Sequence, residues 1–202
     1  MRYMLVFALL FMPLTAQALT LDFEDLPDLT PVTTQYAALG IVFSGATIFT
    51  AGISLPEAEF PPYSGSNVVF DDDGPITVSL TAPIQGFSAY FTHMVPLNLS
   101  FYDASDTSIG MVSSSYSSNL ALSGDPGSFP NELLSFASNA GISRVVITGD
   151  TSGGSFVMDD LTVASSVPEP STLALSAVTW IILLCYVTRR RLSGHAVNAI
   201  IG

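Results

Sequence analysis

The chain is divided by its hydrophobic pattern into three regions with different periods. From Leu19 to Ser166, apolar, β-branched and aromatic runs of four to eight residues alternate with turn clusters. In Ile76-Thr77-Val78-Ser79-Leu80 and in Leu97-Asn98-Leu99-Ser100-Phe101 the apolar residues recur at every second position. They therefore share one face of a strand, leaving the other face wet. The pattern predicts strands over Leu19–Phe23, Ile41–Phe43, Thr47–Thr50, Asn67–Phe70, Ile76–Leu80, Ile84–Thr92, Leu97–Asp103, Ser108–Ser114, Glu132–Ala137, Ser143–Thr148 and Ser155–Val163. Turn signals fall between them at Phe43-Ser44-Gly45, Ser64-Gly65-Ser66-Asn67, Asp72-Asp73-Gly74-Pro75, Gly124-Asp125-Pro126-Gly127 and Thr151-Ser152-Gly153-Gly154. The stretch from Ala51 to Tyr63, rich in proline and acids, reads as a long loop. No part of this region carries a 3.6-residue stripe over ten residues or more. The expected fold class is all-β: two half-wet sheets packed as a β-sandwich.

The two ends carry unbroken apolar runs instead. Residues 1–18 read as a signal peptide: Arg2 supplies the positive start, Tyr3 to Leu14 the apolar run, and Ala16-Gln17-Ala18 the cleavage site. A run of about 12 residues is short for ~30 Å of hydrocarbon, which disfavours the alternative of an uncleaved anchor. At the other end Leu173 to Thr188 form an apolar span of about 16 residues, at the low edge for a transmembrane helix. Arg189-Arg190-Arg191 follow at once and are expected to stay cytoplasmic, with residues 192–202 as a cytoplasmic tail. The expected organisation is a signal peptide (1–18), a sandwich domain (19–166), a sorting segment (167–191) with a transmembrane helix (173–188), and the tail.

Charge sharpens this picture. Of five basic residues only Arg144 lies between Leu19 and Ser166, against 16 of the 17 acids, so that stretch has a net charge of −15. Such a surface repels phosphate backbones and argues against nucleic-acid binding. The one cysteine, Cys185, lies in the C-terminal span, so the domain has no disulfide, and His93 alone cannot form a zinc-type Cys/His cluster. At about 148 residues it is long enough to bury a core without such staples.

Val167-Pro168-Glu169-Pro170 precedes the apolar span and the arginines. The prolines keep this segment extended, a shape that a protease can bind. The order of these three features resembles the PEP-CTERM sorting signal. The resemblance implies recognition by an exosortase-type membrane protease and cleavage near the motif. It further implies a Gram-negative host that makes exopolysaccharide, and a product that is membrane-anchored and then at the cell surface or outside it. Such tails usually end soon after the arginines, whereas here 11 further residues follow. A plain anchor with a chance Pro-Glu-Pro is the alternative.

The domain opens with Leu21-Asp22-Phe23-Glu24-Asp25 and closes with Val157-Met158-Asp159-Asp160-Leu161. This order is similar to jelly-roll domains of PEP-CTERM proteins and, more distantly, to carbohydrate-binding modules of galactose-binding-like fold. The resemblance implies a structural calcium between the first and last strands. Glu24 and Asp159 are then the expected ligands, and Asp22, Asp25 and Asp160 the reserves. Calcium takes six to eight oxygens, which carboxylates and loop carbonyls supply. Period two puts Asp159 on the face of Leu161 and Val163, so if these face the core Asp159 points inward and needs a metal or backbone amides. Asp71-Asp72-Asp73-Gly74 reads as an acidic turn and not an EF-hand, because the twelfth position is Ala82.

Catalytic motifs are missing: no G-x-S-x-G occurs, and a serine triad would need His93, which sits in no motif. The expectation is therefore a non-enzymatic exported surface or extracellular-matrix protein. A polysaccharide-binding module is the alternative, with Tyr63 in the Pro61-Pro62-Tyr63-Ser64-Gly65 loop as the best stacking platform. A secreted glycan-active hydrolase is a third reading, since 16 acids contain many carboxylate pairs by chance.

Overall fold

The computed structural model describes residues 18–165. The signal peptide, the sorting residues Val167, Pro168, Glu169, Pro170, Arg189, Arg190 and Arg191, and the span 173–188 lie outside the described residues. Within them are nine strands: β1 Ala18–Leu21, β2 Ile41–Ser44, β3 Thr47–Thr50, β4 Asn67–Phe70, β5 Ile76–His93, β6 Asn98–Tyr102, β7 Ser108–Ser113, β8 Glu132–Thr148 and β9 Phe156–Ser165. The one helical element among them is a 3₁₀ turn over Ala37–Leu39. All strand pairs are antiparallel, in the order β3-β4-β9-β5-β8-β6-β7, with β1 beside β9 and β2 beside β5.

Eleven expected strands become nine because two pairs are single strands that turn a corner. β5 spans 18 residues and β8 spans 17. The first part of β5 pairs with β2 and with the second part of β8; its second part pairs with β9 and the first part of β8. The corners lie at Thr81-Ala82-Pro83 and Ser138-Asn139-Ala140-Gly141, where the β5–β8 register shifts on both sides of Ile84. Proline and glycine there interrupt the pairing without ending the strand, as at the corners of folded sheets. Gly141 (φ +83°) stands against Pro83, 3.0 Å from where a Cβ would sit to the proline Cβ.

The fold is thus an all-β sandwich made by folding one sheet over itself. One wall is β2, β6, β7 and the adjoining parts of β5 and β8. The other is β1, β3, β4, β9 and the remaining parts of β5 and β8. Phe87 of the second wall meets Phe101 of the first edge to face, with centroids 5.7 Å apart. Phe136 stacks on the same Phe101 at 4.3 Å. Phe23, Phe43 and Tyr36 form a second edge-to-face group across the walls. These rings, with Ile76, Val78, Leu99, Val145, Ile147, Leu161 and others, form the main core.

A second, smaller core lies outside the sandwich. Leu55 and Phe60 of the 51–66 loop pack on Val68 and Val157, which point outward from β4 and β9. The loop therefore covers one half of the outer face of the second wall. The other half stays open: Leu133, Ser135 and Ala137 of β8 are exposed beside Tyr90, Ser88 and Gly86 of β5.

At the β2–β3 turn, Gly45 has φ +71°, and a Cβ there would lie 2.6 Å from the Pro75 carbonyl oxygen. Gly45→Ala is expected to lower stability by about 2 kcal/mol from the left-handed backbone alone, read from chemical denaturation.

Candidate functional site

The acids singled out at the two ends of the domain converge on one segment, Tyr63 to Asn67. The Glu24 Oε1 accepts hydrogen bonds from the backbone N–H of Ser66 (2.8 Å) and of Asn67 (2.7 Å), and its Oε2 accepts one from the Ser66 hydroxyl (3.1 Å). Gly65, with φ +52°, brings the turn so close that any Cβ would overlap the Glu24 carboxylate. The Asp159 Oδ2 accepts from the N–H of Tyr63 (2.8 Å) and of Ser64 (3.0 Å), and its Oδ1 accepts from the N–H of Asp160 (2.7 Å). Asp160 takes the Ser64 hydroxyl at 2.8 Å. The remaining two acids are engaged elsewhere: Asp22 faces the N–H of Glu24, and Asp25 accepts from the Tyr36 hydroxyl.

The Asp159 side chain is buried, but on a different face from the one that period two implies. The register shifts by one residue between Ser88↔Thr162 and Tyr90↔Asp159. Asp160 has φ +45°. This bulge reverses the alternation. Met158 and Phe156 thus join Leu161 and Val163 in the main core, while Val157 faces the covering loop, and Asp159 meets that loop at Tyr63 and Ser64.

Glu24 and Asp159 are each satisfied in this arrangement by three N–H or O–H donors, the backbone amides that a buried carboxylate can use in place of a cation. Among the described residues no three His, Cys, Asp or Glu side chains are placed to hold a metal.

Three further anchors escaped the sequence pattern. Asp71, fully buried, accepts from the Ser155 N–H, the Ser155 hydroxyl and the Phe156 N–H, at 2.7–3.0 Å. Asn67 donates to the Phe23 and Leu26 carbonyls and accepts from the Thr50 hydroxyl. Asn119 accepts from the His93 N–H and donates to the carbonyls of Phe91 and Phe129. These pairings join residues 10 to 85 positions apart, and no local pattern announces them. His93 ends β5 fully buried, with Nδ1 against the Val95 carbonyl at 2.9 Å and Nε2 3.5 Å from Glu132 Oε2.

Tyr63 is 48% exposed, as its proline-rich loop suggests. It lies on Tyr90 with centroids 3.4 Å apart and planes 9° from parallel. The Tyr90 phenol is held above the ordinary tyrosine value, first by its hydrogen bond with Tyr63, then by burial and by the nearby charges of Tyr63 and Asp160. The domain's one arginine is remote from this pair in the sheet: Arg144 lies in the first wall, paired with Asp106 and stacked on Tyr102.

Burial pushes the Asp159 carboxyl up to about 6 against an ordinary 3.8, although the N–H donors pull the other way. Burial raises Asp71 as well. A folded-state value above the unfolded one means that the native chain binds the extra proton between about pH 4 and 6. The stability it contributes is complete below the unfolded value and is lost as pH rises through the folded one. The thermal midpoint is therefore expected to rise on acidification from pH 7 to about 4.5. Asp159→Asn should flatten that rise, and an unchanged slope would contradict it. The midpoint is also expected to be the same in excess calcium and in chelator.

No curated protein matches the chain. Among solved structures it is similar in outline to a cleaved adhesin domain of Lys-gingipain (TM-score 0.47, 13% identity, covering 74% of this chain and 98% of that one). It is similar also to a DUF4465 family protein from Bacteroides caccae (TM-score 0.44, 12% identity, 74% and 100% coverage). A third likeness is to a family 29 carbohydrate-binding module (TM-score 0.39, 8% identity, 75% and 93% coverage). Residues 166–191 match the family described as the PEP-CTERM protein-sorting motif, so the chain carries that sorting motif directly after its last strand.

Proposed function

We propose that the chain is an exported, non-enzymatic surface or extracellular-matrix protein, cut near Pro168-Glu169-Pro170 by an exosortase-type membrane protease. The observation that carries this reading is the sorting motif at residues 166–191. The N-terminal run with its Ala16-Gln17-Ala18 site supports export. The arginines after the apolar span support retention of the tail on the cytoplasmic side until cleavage.

The domain's own chemistry supports a non-catalytic role. A general base must reach a proton on a substrate. His93 is fully buried, and its ring nitrogens face Val95 and Glu132. The buried carboxylates Asp71 and Asp159 hold backbone N–H groups in place. In these positions the side chains act as fasteners between loops and strands.

The test is the mature mass and location of the protein in cells with and without the exosortase. Cleavage near Pro168 is expected to remove Trp180 and the arginines and to place the domain outside the cell. A full-length, membrane-held protein in both strains would mean a plain anchor. Glu169→Ala is expected to leave more of the uncut form.

A further inference from the structure

The covering loop ends in an aromatic ledge beside an open sheet face. Tyr63 is the last bulky side chain before the turn that Glu24 and Asp159 hold, and it lies flat on Tyr90. Next to Tyr90 in the sheet comes Leu133, 53% exposed. One pleat further along, Ser135, Ser88 and Thr162 form a row across three strands. Adjacent strands lie about 4.8 Å apart and successive outward rows about 7 Å apart. The floor is therefore narrow-stepped and lined by hydroxyls, with the aromatic pair standing at one end.

We infer that this face binds a neutral polysaccharide strand, with one sugar ring on the outer face of Tyr63 and the neighbouring residues of the polymer over the serine–threonine row. Sugar rings present axial C–H groups on one face and hydroxyls at the edge. The C–H face suits an aromatic surface, and the edge hydroxyls suit short Ser and Thr side chains that both donate and accept. The stacking of Tyr63 on Tyr90, and the two N–H bonds to Asp159, hold the platform in place before a ligand arrives, so little ordering remains to oppose binding.

Charge selects the polymer. The face carries Asp160 and the domain has a net charge of −15, with its one arginine committed in the other wall. A uronic-acid or sulfated polymer would be repelled, whereas a neutral hexose polymer is not. The choice of ligand rests on the proposed surface location, where such polymers are met. The geometry of the face does not.

The experiment is affinity electrophoresis of the full chain in detergent through gels containing glucomannan, xyloglucan, galactomannan or dextran, with alginate as the anionic probe. Retardation is expected in at least one neutral gel and none in alginate. Tyr63→Ala should weaken binding roughly tenfold, while Tyr63→Phe, which keeps the ring, should bind like the parent. Ser135→Glu, on an exposed position outside both cores, should weaken binding without moving the thermal midpoint. Retardation by none of the neutral polymers, retardation by alginate alone, or equal binding by Tyr63→Ala and the parent would each overturn the inference. A chain that is never cleaved in cells but binds in the gel would refute the processing reading and leave this one standing.

Discussion

A folded domain with 16 acids and one arginine has almost no cation with which to neutralise a carboxylate that must be buried. The backbone takes that role. Glu24, Asp71 and Asp159 together accept from seven backbone N–H groups, and each carboxylate joins segments far apart in the chain. A charged acceptor strengthens each such bond relative to a neutral one. Removing a carboxylate would also strand its donors, and a buried unpaired N–H is costly. The loop over the outer face, the turn after it, and the joint between β4 and the start of β9 all depend on this arrangement.

The same constraint explains why burial and pairing disagree in sign for Asp159. Its donors favour the ionised form, while exclusion of water disfavours it, and the second effect wins. With burial holding the Asp159 carboxyl up to about 6, folding forfeits roughly 3 kcal/mol near neutral pH. Mutual repulsion among the surface acids acts in the same direction. Protonation of Asp159 relieves both costs.

Much of the strand content was legible, because alternation at Ile76–Leu80 and Leu97–Phe101 follows directly from a sheet with one buried face. The corners were not. Thr81-Ala82-Pro83 and Ser138 to Gly141 have the composition of turns, and only the partner strands show that the chain continues into the other wall. The side of β9 that Asp159 faces was illegible for a similar reason. A one-residue bulge at Asp160 reverses the alternation, and an aspartate with positive φ leaves no distinctive local pattern. Exposure of Tyr63 could be read from its proline-rich loop, whereas its partner Tyr90 sits in the middle of an ordinary strand pattern. The convergence of Glu24, Asp159 and Asp160 on one turn needed the pairing of β1 with β9, which joins residues 140 to 146 positions apart.

β9 occupies the middle of its wall, with β1 and β4 on one side and β5 on the other. It is also the last strand to be made. Before residues 156–165 arrive, β1 has no partner, β3 and β4 form an isolated hairpin, and the second wall has a gap at its centre. Such non-local closure is slow and cannot proceed from a partial chain. A chain threaded outward from its N-terminus would thus remain open until almost the whole of it has crossed. The strand that completes the domain is followed directly by the sorting motif at residues 166–191.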